Sequence, residues 1–195
     1  MNSDSPAKGL GDEELNIVEV LLRLRSIARS GWMMRGVPPS MAENVAEHSY
    51  LSAAIAYLLS SKLRSLGVKV EPEKAAVIAV FHDITEAFTG DIPSAYPEVR
   101  VLKRKVEENA INLVDDDVRS LIAEFLEERS IEALVAKASD RLATMLVGAY
   151  YSERGFDVCD IILNTYTDAA TLLTSLVGAE AEKIIRWLAA ELGTH

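Results

Sequence analysis

Residues 72–88 read PEKAAVIAVFHDITEAF. Pro72 suits a first helical turn, where its missing N–H goes unused. No Gly or Pro interrupts the apolar run behind it, so a helix is expected over 72–88. The segments outward from it are helical too. Asp12–Ala28 sets Leu15, Val18, Leu22 and Ile27 on one amphipathic face behind an acidic first turn. Arg29–Ser40 breaks the pattern with Gly31, Gly36, Pro38 and Pro39, and Ala42–Leu66 resumes it, stopping at Gly67. Thr89–Pro97 (TGDIPSAYP) reads as a loop. Glu98–Val114, Asp116–Glu128, Ile131–Arg154, Asp160–Leu176 and Ala179–Leu192 follow as helices, with Ser130 as an N-cap and Gly155 as a stop. Val68–Val70 is too short for a strand, and no Asn-Gly or Asp-Gly hairpin signal occurs. The fold class is all-α: a single helical domain over 12–195 behind a flexible tail at 1–11.

At 195 residues the chain can bury a full core without disulfides. Apolar residues make up 49% and charged residues 26%, which excludes disorder as the overall state. A net charge of −10 argues against a nucleic-acid polymer or an anionic membrane as partner. The single cysteine, Cys159, excludes an internal disulfide and a thiolate-rich zinc site. The polar start lacks a signal-peptide core, and no apolar run reaches a membrane span. A soluble, cytoplasmic protein is expected, and the apolar segment Ile184–Leu192 is a candidate face for a homodimer.

Chemistry concentrates in few residues. The histidines are His48, His82 and the last residue, His195. His82 is followed at once by Asp83, and neighbouring donors near a helix end can reach one ion. Asp83 lies between Ala79 and Ala87 at helical spacing, where a carboxylate is costly to bury without a cation or donors. Asp140 shares its face with Ala136, Ala143 and Val147, although Lys137 and Arg141 stand near enough for a surface pair. Glu86, four residues after His82, would join the same cavity on an unbroken helix; taken alone it reads as a solvated helix end. The basic run RVLKRK over Arg100–Lys105 reads as a solvated face balanced by Glu107 and Glu108, with a second use in steering an anionic substrate.

The order His48, His82-Asp83, Asp140 resembles the H…HD…D signature of the HD-domain metal-dependent phosphohydrolases. The surrounding strings narrow the resemblance. RSGWMMRGV at Arg29–Val37, ENVAEHS at Glu43–Ser49, FHDITEAFTGDIP at Phe81–Pro93 and KASDRLA at Lys137–Ala143 are similar to one branch. That branch holds the YfbR-like bacterial 5′-deoxynucleotidases and the eukaryotic HD-domain-containing protein 2 group. The resemblance runs from about Leu21 to Tyr151 and implies a helical HD-domain bundle. It implies metal ligation by His48, His82, Asp83 and Asp140. Glu86 is the implied general acid/base, and Asp83 is catalytic as well as a ligand. Two imidazoles and two carboxylates suit Mn, Co, Fe or Zn, with Mg possible, rather than a closed thiolate site. It also implies nucleotide contacts from Trp32 and from Arg29 or Arg35, and sugar contacts from Asp91, Ile92, Pro93 and Ser94. Trp32 has core packing as its other reading, and Asp91 has helix capping.

The function so implied is a metal-dependent hydrolase of nucleotide metabolism that cleaves (deoxy)ribonucleoside 5′-monophosphates to nucleoside and phosphate. Two other readings stand beside it. One is an HD phosphohydrolase acting on a triphosphate, a cyclic nucleotide or an alarmone. The other is a non-catalytic helical binding module stabilised by its metal.

Overall fold

The computed structural model describes residues 16–93 and 97–191. The tail at 1–11, the start of the first expected helix, Ser94 and His195 lie outside them. Ten α-helices are described: α1 (Ile17–Leu24), α2 (Ser30–Met33), α3 (Val45–Ser65), α4 (Pro72–Phe81), α5 (Glu86–Thr89), α6 (Pro97–Ala110), α7 (Asp116–Glu127), α8 (Ile131–Ser152), α9 (Cys159–Val177) and α10 (Ala181–Glu191). Short 3-10 turns cover Ile111–Leu113 and Gly178–Glu180. No strand occurs among the described residues; one isolated antiparallel bridge pairs Ala28 with Asn44. No helix among them is long and apolar enough to cross a membrane.

Two helices start on the same local device. Asn16 accepts from the Glu19 N–H while the Glu19 carboxylate accepts from the Asn16 N–H, both at 3.1 Å. Asn44 and Glu47 repeat this reciprocal pair at 2.9 and 3.0 Å. Each box satisfies amides that an open helix end leaves without partners. Ser130 caps α8 by accepting from Ala133 N–H. Gly67, at φ +90°, ends α3 in a conformation that disfavours other residues.

Two expected elements take a different form. The first helix begins at Ile17 and closes at Leu24, short of Ala28. The helix expected over 72–88 is broken. It stops at Phe81, and the chain turns through His82–Thr85 before α5. At the break the His82 ring takes up a backbone acceptor: its Nδ1 donates to the Ala79 carbonyl at 2.7 Å. A continuing helix would offer that carbonyl to the Asp83 N–H. Tighter three-residue bonds follow instead, from Ile84 N–H to Phe81 O at 3.1 Å and Glu86 N–H to Asp83 O at 3.0 Å. The Arg29–Ser40 break also holds one helical turn, α2.

The main core packs α3, α4, α8 and α9 together through Ile55, Leu59, Leu63, Ile78, Leu142 and Leu173. Small residues on α8, such as Ala136, Ala138 and Ala143, are fully buried and let α8 lie close to α3 and α4. Ile184, Ile185 and Leu188 of α10 are buried in this core. Of the segment read from the sequence as a dimer face, these three side chains therefore point into the chain's own core, and Leu192 lies outside the described residues. A second cluster joins Val20 and Leu24 of α1 to Val45, Ile84 and Ile122, and a third packs Trp32 with Val37, Tyr151 and Val158.

Gly148 of α8 sits where these layers meet. A Cβ there would stand 2.8 Å from Cγ1 of Ile162 and 3.4 Å from the Trp32 ring. Helix propensity favours Gly148→Ala by about 1 kcal/mol, but overpacking a core costs roughly 1–3 kcal/mol. We expect a net loss of about 1 kcal/mol, read as a lower urea midpoint at unchanged slope. A stabilised variant would show that Ile162 yields freely.

Candidate metal centre

The helix break and the packing of α3 against α8 bring the side chains of His48, His82, Asp83 and Asp140 together. His48, on the first turn of α3, is fully buried. Its Nε2 lies 3.0 Å from Oδ1 of Asp140 on α8 and 3.9 Å from Oδ2 of Asp83. His82 Nε2 lies 3.1 Å from the same Asp83 oxygen and 3.8 Å from the same Asp140 oxygen. Ligand atoms of His48, His82 and Asp83 all fall within 4.8 Å of one another.

The donor chemistry fits a divalent cation. Because a carbonyl only accepts, the bond to Ala79 O fixes the His82 proton on Nδ1. Nε2 is left buried, without a hydrogen-bond partner, facing the carboxylates. Such a backbone bond behind a ligating imidazole sets its tautomer and orientation. Burial works against charge on His82, but Asp83 and Asp140 outweigh it and raise its pKa to about 9. The same two carboxylates would favour a cation in the proton's place, since a metal and a proton compete for that nitrogen. Burial likewise opposes charge on both carboxylates. Even so, His82, Lys103 and Arg29 keep Asp83 well below the usual range, and Arg141 with the two imidazoles does so for Asp140.

Around this cluster stand further charged groups. Arg29 Nη1 donates to Asp83 Oδ2 at 2.9 Å. Burial opposes its charge, yet Asp83, Asp91, Glu43 and Glu86 raise its pKa above the ordinary value. Glu86, at the start of α5, is 1% exposed, so the solvated helix end read from the sequence is a buried carboxyl. Burial and the neighbouring Asp83 push its pKa up to about 8, against the pull of Lys103 and Arg29. Lys103 reaches in from α6 to donate to Glu86 Oε1 at 3.0 Å, and stands 3.5 Å from Glu107. The RVLKRK run thus contributes a cation to the site where a solvated face was expected.

The remaining candidates divide. Asp91 follows Gly90, which turns the chain at φ +72°. Its Oδ2 accepts from the N–H and the hydroxyl of Ser30, tying the start of α2 to the loop after α5. Ile92 and Pro93 are half-buried beside it. Trp32 is buried under the site, edge-on to Tyr151 at 5.1 Å between ring centres, and its Nε1 donates to Glu43 Oε2 at 3.1 Å. Arg35 pairs with Asp160 at the start of α9, so of the two arginines it is Arg29 that meets the cluster.

Glu43 was not foreseen. Its other oxygen stands 3.6 Å from His48 Nδ1, its N–H donates to Tyr151 Oη at 2.8 Å, and its carbonyl accepts from Arg29 N–H at 2.8 Å. Its place in ENVAEHS, just ahead of the ligand helix, is the signal that could have marked it. For Lys103 the sequence carries only the i,i+4 pairing with Glu107, which does not tell an inward face from an outward one.

Comparison with known proteins agrees with this geometry. A family model described as HD domain matches residues 21–172. A 5′-deoxynucleotidase of Citrobacter koseri is 32% identical over 139 residues, which are 65% of this chain and 67% of that protein. The 5′-deoxynucleotidase YfbR of Escherichia coli is 30% identical over 139 residues, with the same shares. Among solved structures, a conserved hypothetical protein of Pyrococcus furiosus superposes with a TM-score of 0.76 at 29% identity, covering 87% of this chain and 97% of that one. An HD-domain phosphohydrolase of Listeria innocua shares the fold, with a TM-score of 0.65 at 22% identity over 91% of this chain and 90% of that one. The family model spans most of the helical bundle and the positions of His48, His82, Asp83 and Asp140, and the chain belongs to the HD-domain family.

Proposed function

We propose that the protein is a metal-dependent 5′-nucleotidase that hydrolyses deoxyribonucleoside 5′-monophosphates to nucleoside and phosphate. The observation that carries this reading is the convergence of His48, His82, Asp83 and Asp140 beside a half-buried arginine and a carboxyl pushed toward neutrality. The names of the relatives at 30–32% identity supply the substrate class.

His48, His82, Asp83 and Asp140 would hold the ion. Their mixed nitrogen and oxygen donors suit Mn, Co, Fe or Zn, with Mg as a further choice. When bound, such an ion supplies Lewis-acid activation of the attacking water and of the phosphoryl oxygens. The protein's own groups do the rest. Arg29, beside Asp83, presents a planar guanidinium that grips a phosphate through paired hydrogen bonds. Glu86, with its pKa near 8, carries a proton at neutral pH that can pass to the leaving 5′-oxygen. Oδ2 of Asp91 is engaged by Ser30, so Oδ1 is the oxygen that would accept from a sugar hydroxyl, with Ile92 and Pro93 flanking it. Homodimerisation and a cytoplasmic location belong to the same proposal.

Released phosphate, assayed over a panel of mononucleotides with and without Mn²⁺ or Co²⁺, tests the reading. Asp83→Ala should abolish turnover and lower the bound metal; full activity in that variant, or after exhaustive chelation, would end the metal-hydrolase reading. Glu86→Gln should retain metal and lose on the order of 10²–10⁴-fold in kcat. An unchanged kcat would remove Glu86 from the proton transfer. The preference for the deoxy sugar should reach about 10²-fold at most, because a pocket rejects an added hydroxyl only weakly. Equal kcat/KM for dAMP and AMP would overturn that preference alone.

A further inference from the structure

The two carboxylate oxygens of Glu86 have different surroundings. Oε1 accepts from Lys103 Nζ at 3.0 Å. Oε2 is buried and has no hydrogen-bond partner. Lys103 is itself braced on its own helix, where Glu107 stands 3.5 Å from Nζ one turn further along. Its side chain is 20% exposed, whereas that of Glu86 is 1% exposed. A lysine held between the carboxyl groups of Glu86 and Glu107 at the edge of the cluster is therefore part of the site's construction.

We infer that Lys103 is a positioning residue for the reaction: it fixes Oε1 of Glu86 and so directs the free Oε2 toward the cluster. α5 is a single turn that follows the break at His82–Thr85. The backbone of that turn does not dictate the rotamer of its first side chain, so the rotamer needs a second anchor. A charge-assisted bond from a separate helix provides one. The assignment to catalysis rests on the nucleotidase reading above; the Lys103–Glu86 pair does not.

The experiment compares Lys103→Met, Glu86→Gln and the double variant, with Lys103→Arg as the conservative control. Methionine keeps the apolar stem of lysine and removes the charge. In the wild-type background Lys103→Met should lower kcat by up to about 100-fold, the scale of a misplaced reacting group. KM, metal content and inhibition by inorganic phosphate should stay unchanged, and Lys103→Arg should recover part of the loss. In the Glu86→Gln background the same substitution should cost at most about 2-fold, because the group it positions is gone. Equal losses in both backgrounds would overturn the proposal. So would a rise in KM and in the phosphate inhibition constant at constant kcat, which would make Lys103 a direct substrate contact.

Urea unfolding of the metal-free variants tests the pair without any assay of activity. Here the double variant should lose less stability than the sum of the single ones, and additive losses would overturn the pair. If wild type releases no phosphate from any nucleotide while the unfolding costs remain coupled, the nucleotidase reading falls, the catalytic role of Lys103 falls with it, and the pair stands. Failure of Lys103→Met to fold, where Lys103→Arg folds, would make Lys103 a structural residue and overturn the proposal.

Discussion

Buried negative charge governs this molecule. Glu43, Glu86 and Asp140 are all less than a tenth exposed, and Asp83 is little more so. Withdrawing carboxylates from water is costly unless cations or donors replace the solvent. The protein answers in two ways. Arg29, Lys103 and Arg141 come in from a loop, from α6 and from α8 to face the carboxylates. Glu86 instead drifts toward its neutral form. What these groups leave unbalanced lies between two imidazoles, a donor set that could hold a divalent cation. The packing of α3 and α8, eased by the alanines along α8, is the framework that keeps these charges together.

Much of this architecture is legible in the sequence. Pro72, Gly67 and Ser130 act through backbone rules that need no knowledge of the fold, and the helix ends they mark are found there. The reciprocal Asn–Glu boxes at Asn16 and Asn44 lie in the sequence as well and set two helix starts more closely than apolar periodicity does. The break at His82 is less accessible, because an imidazole competing for its own helix's carbonyl leaves no mark in an apolar run. At the same break the acidic residue after His82 leaves the helix path and faces His48.

The candidate site divides along the same line. His48, His82, Asp83 and Asp140 are visible as a set because their order and the strings around them resemble the H…HD…D signature; the adjacent His82-Asp83 pair among alanines and valines adds a local signal. Lys103 is hidden because a basic run with acidic neighbours is the ordinary composition of an exposed helix. Its meaning arises only from where α6 settles. Trp32 illustrates the reverse: its type attracts attention as a ligand-stacking group, while its ring fills space under the site and its N–H is taken by Glu43. Only tertiary packing separates these cases.

The bond between Asp91 and Ser30 has a consequence for how the pocket moves. Ser30 directly follows Arg29, and Asp91 directly precedes Ile92 and Pro93. Residues sixty-one positions apart are thereby fastened into one rim. The bridge between Ala28 and Asn44 rivets that rim to the start of the helix bearing His48. The arginine and the loop facing it are thus coupled in motion, and a displacement of either drags the other. A molecule that touches Arg29 would therefore meet the Asp91 loop as part of the same fastened rim, not as a separate flap.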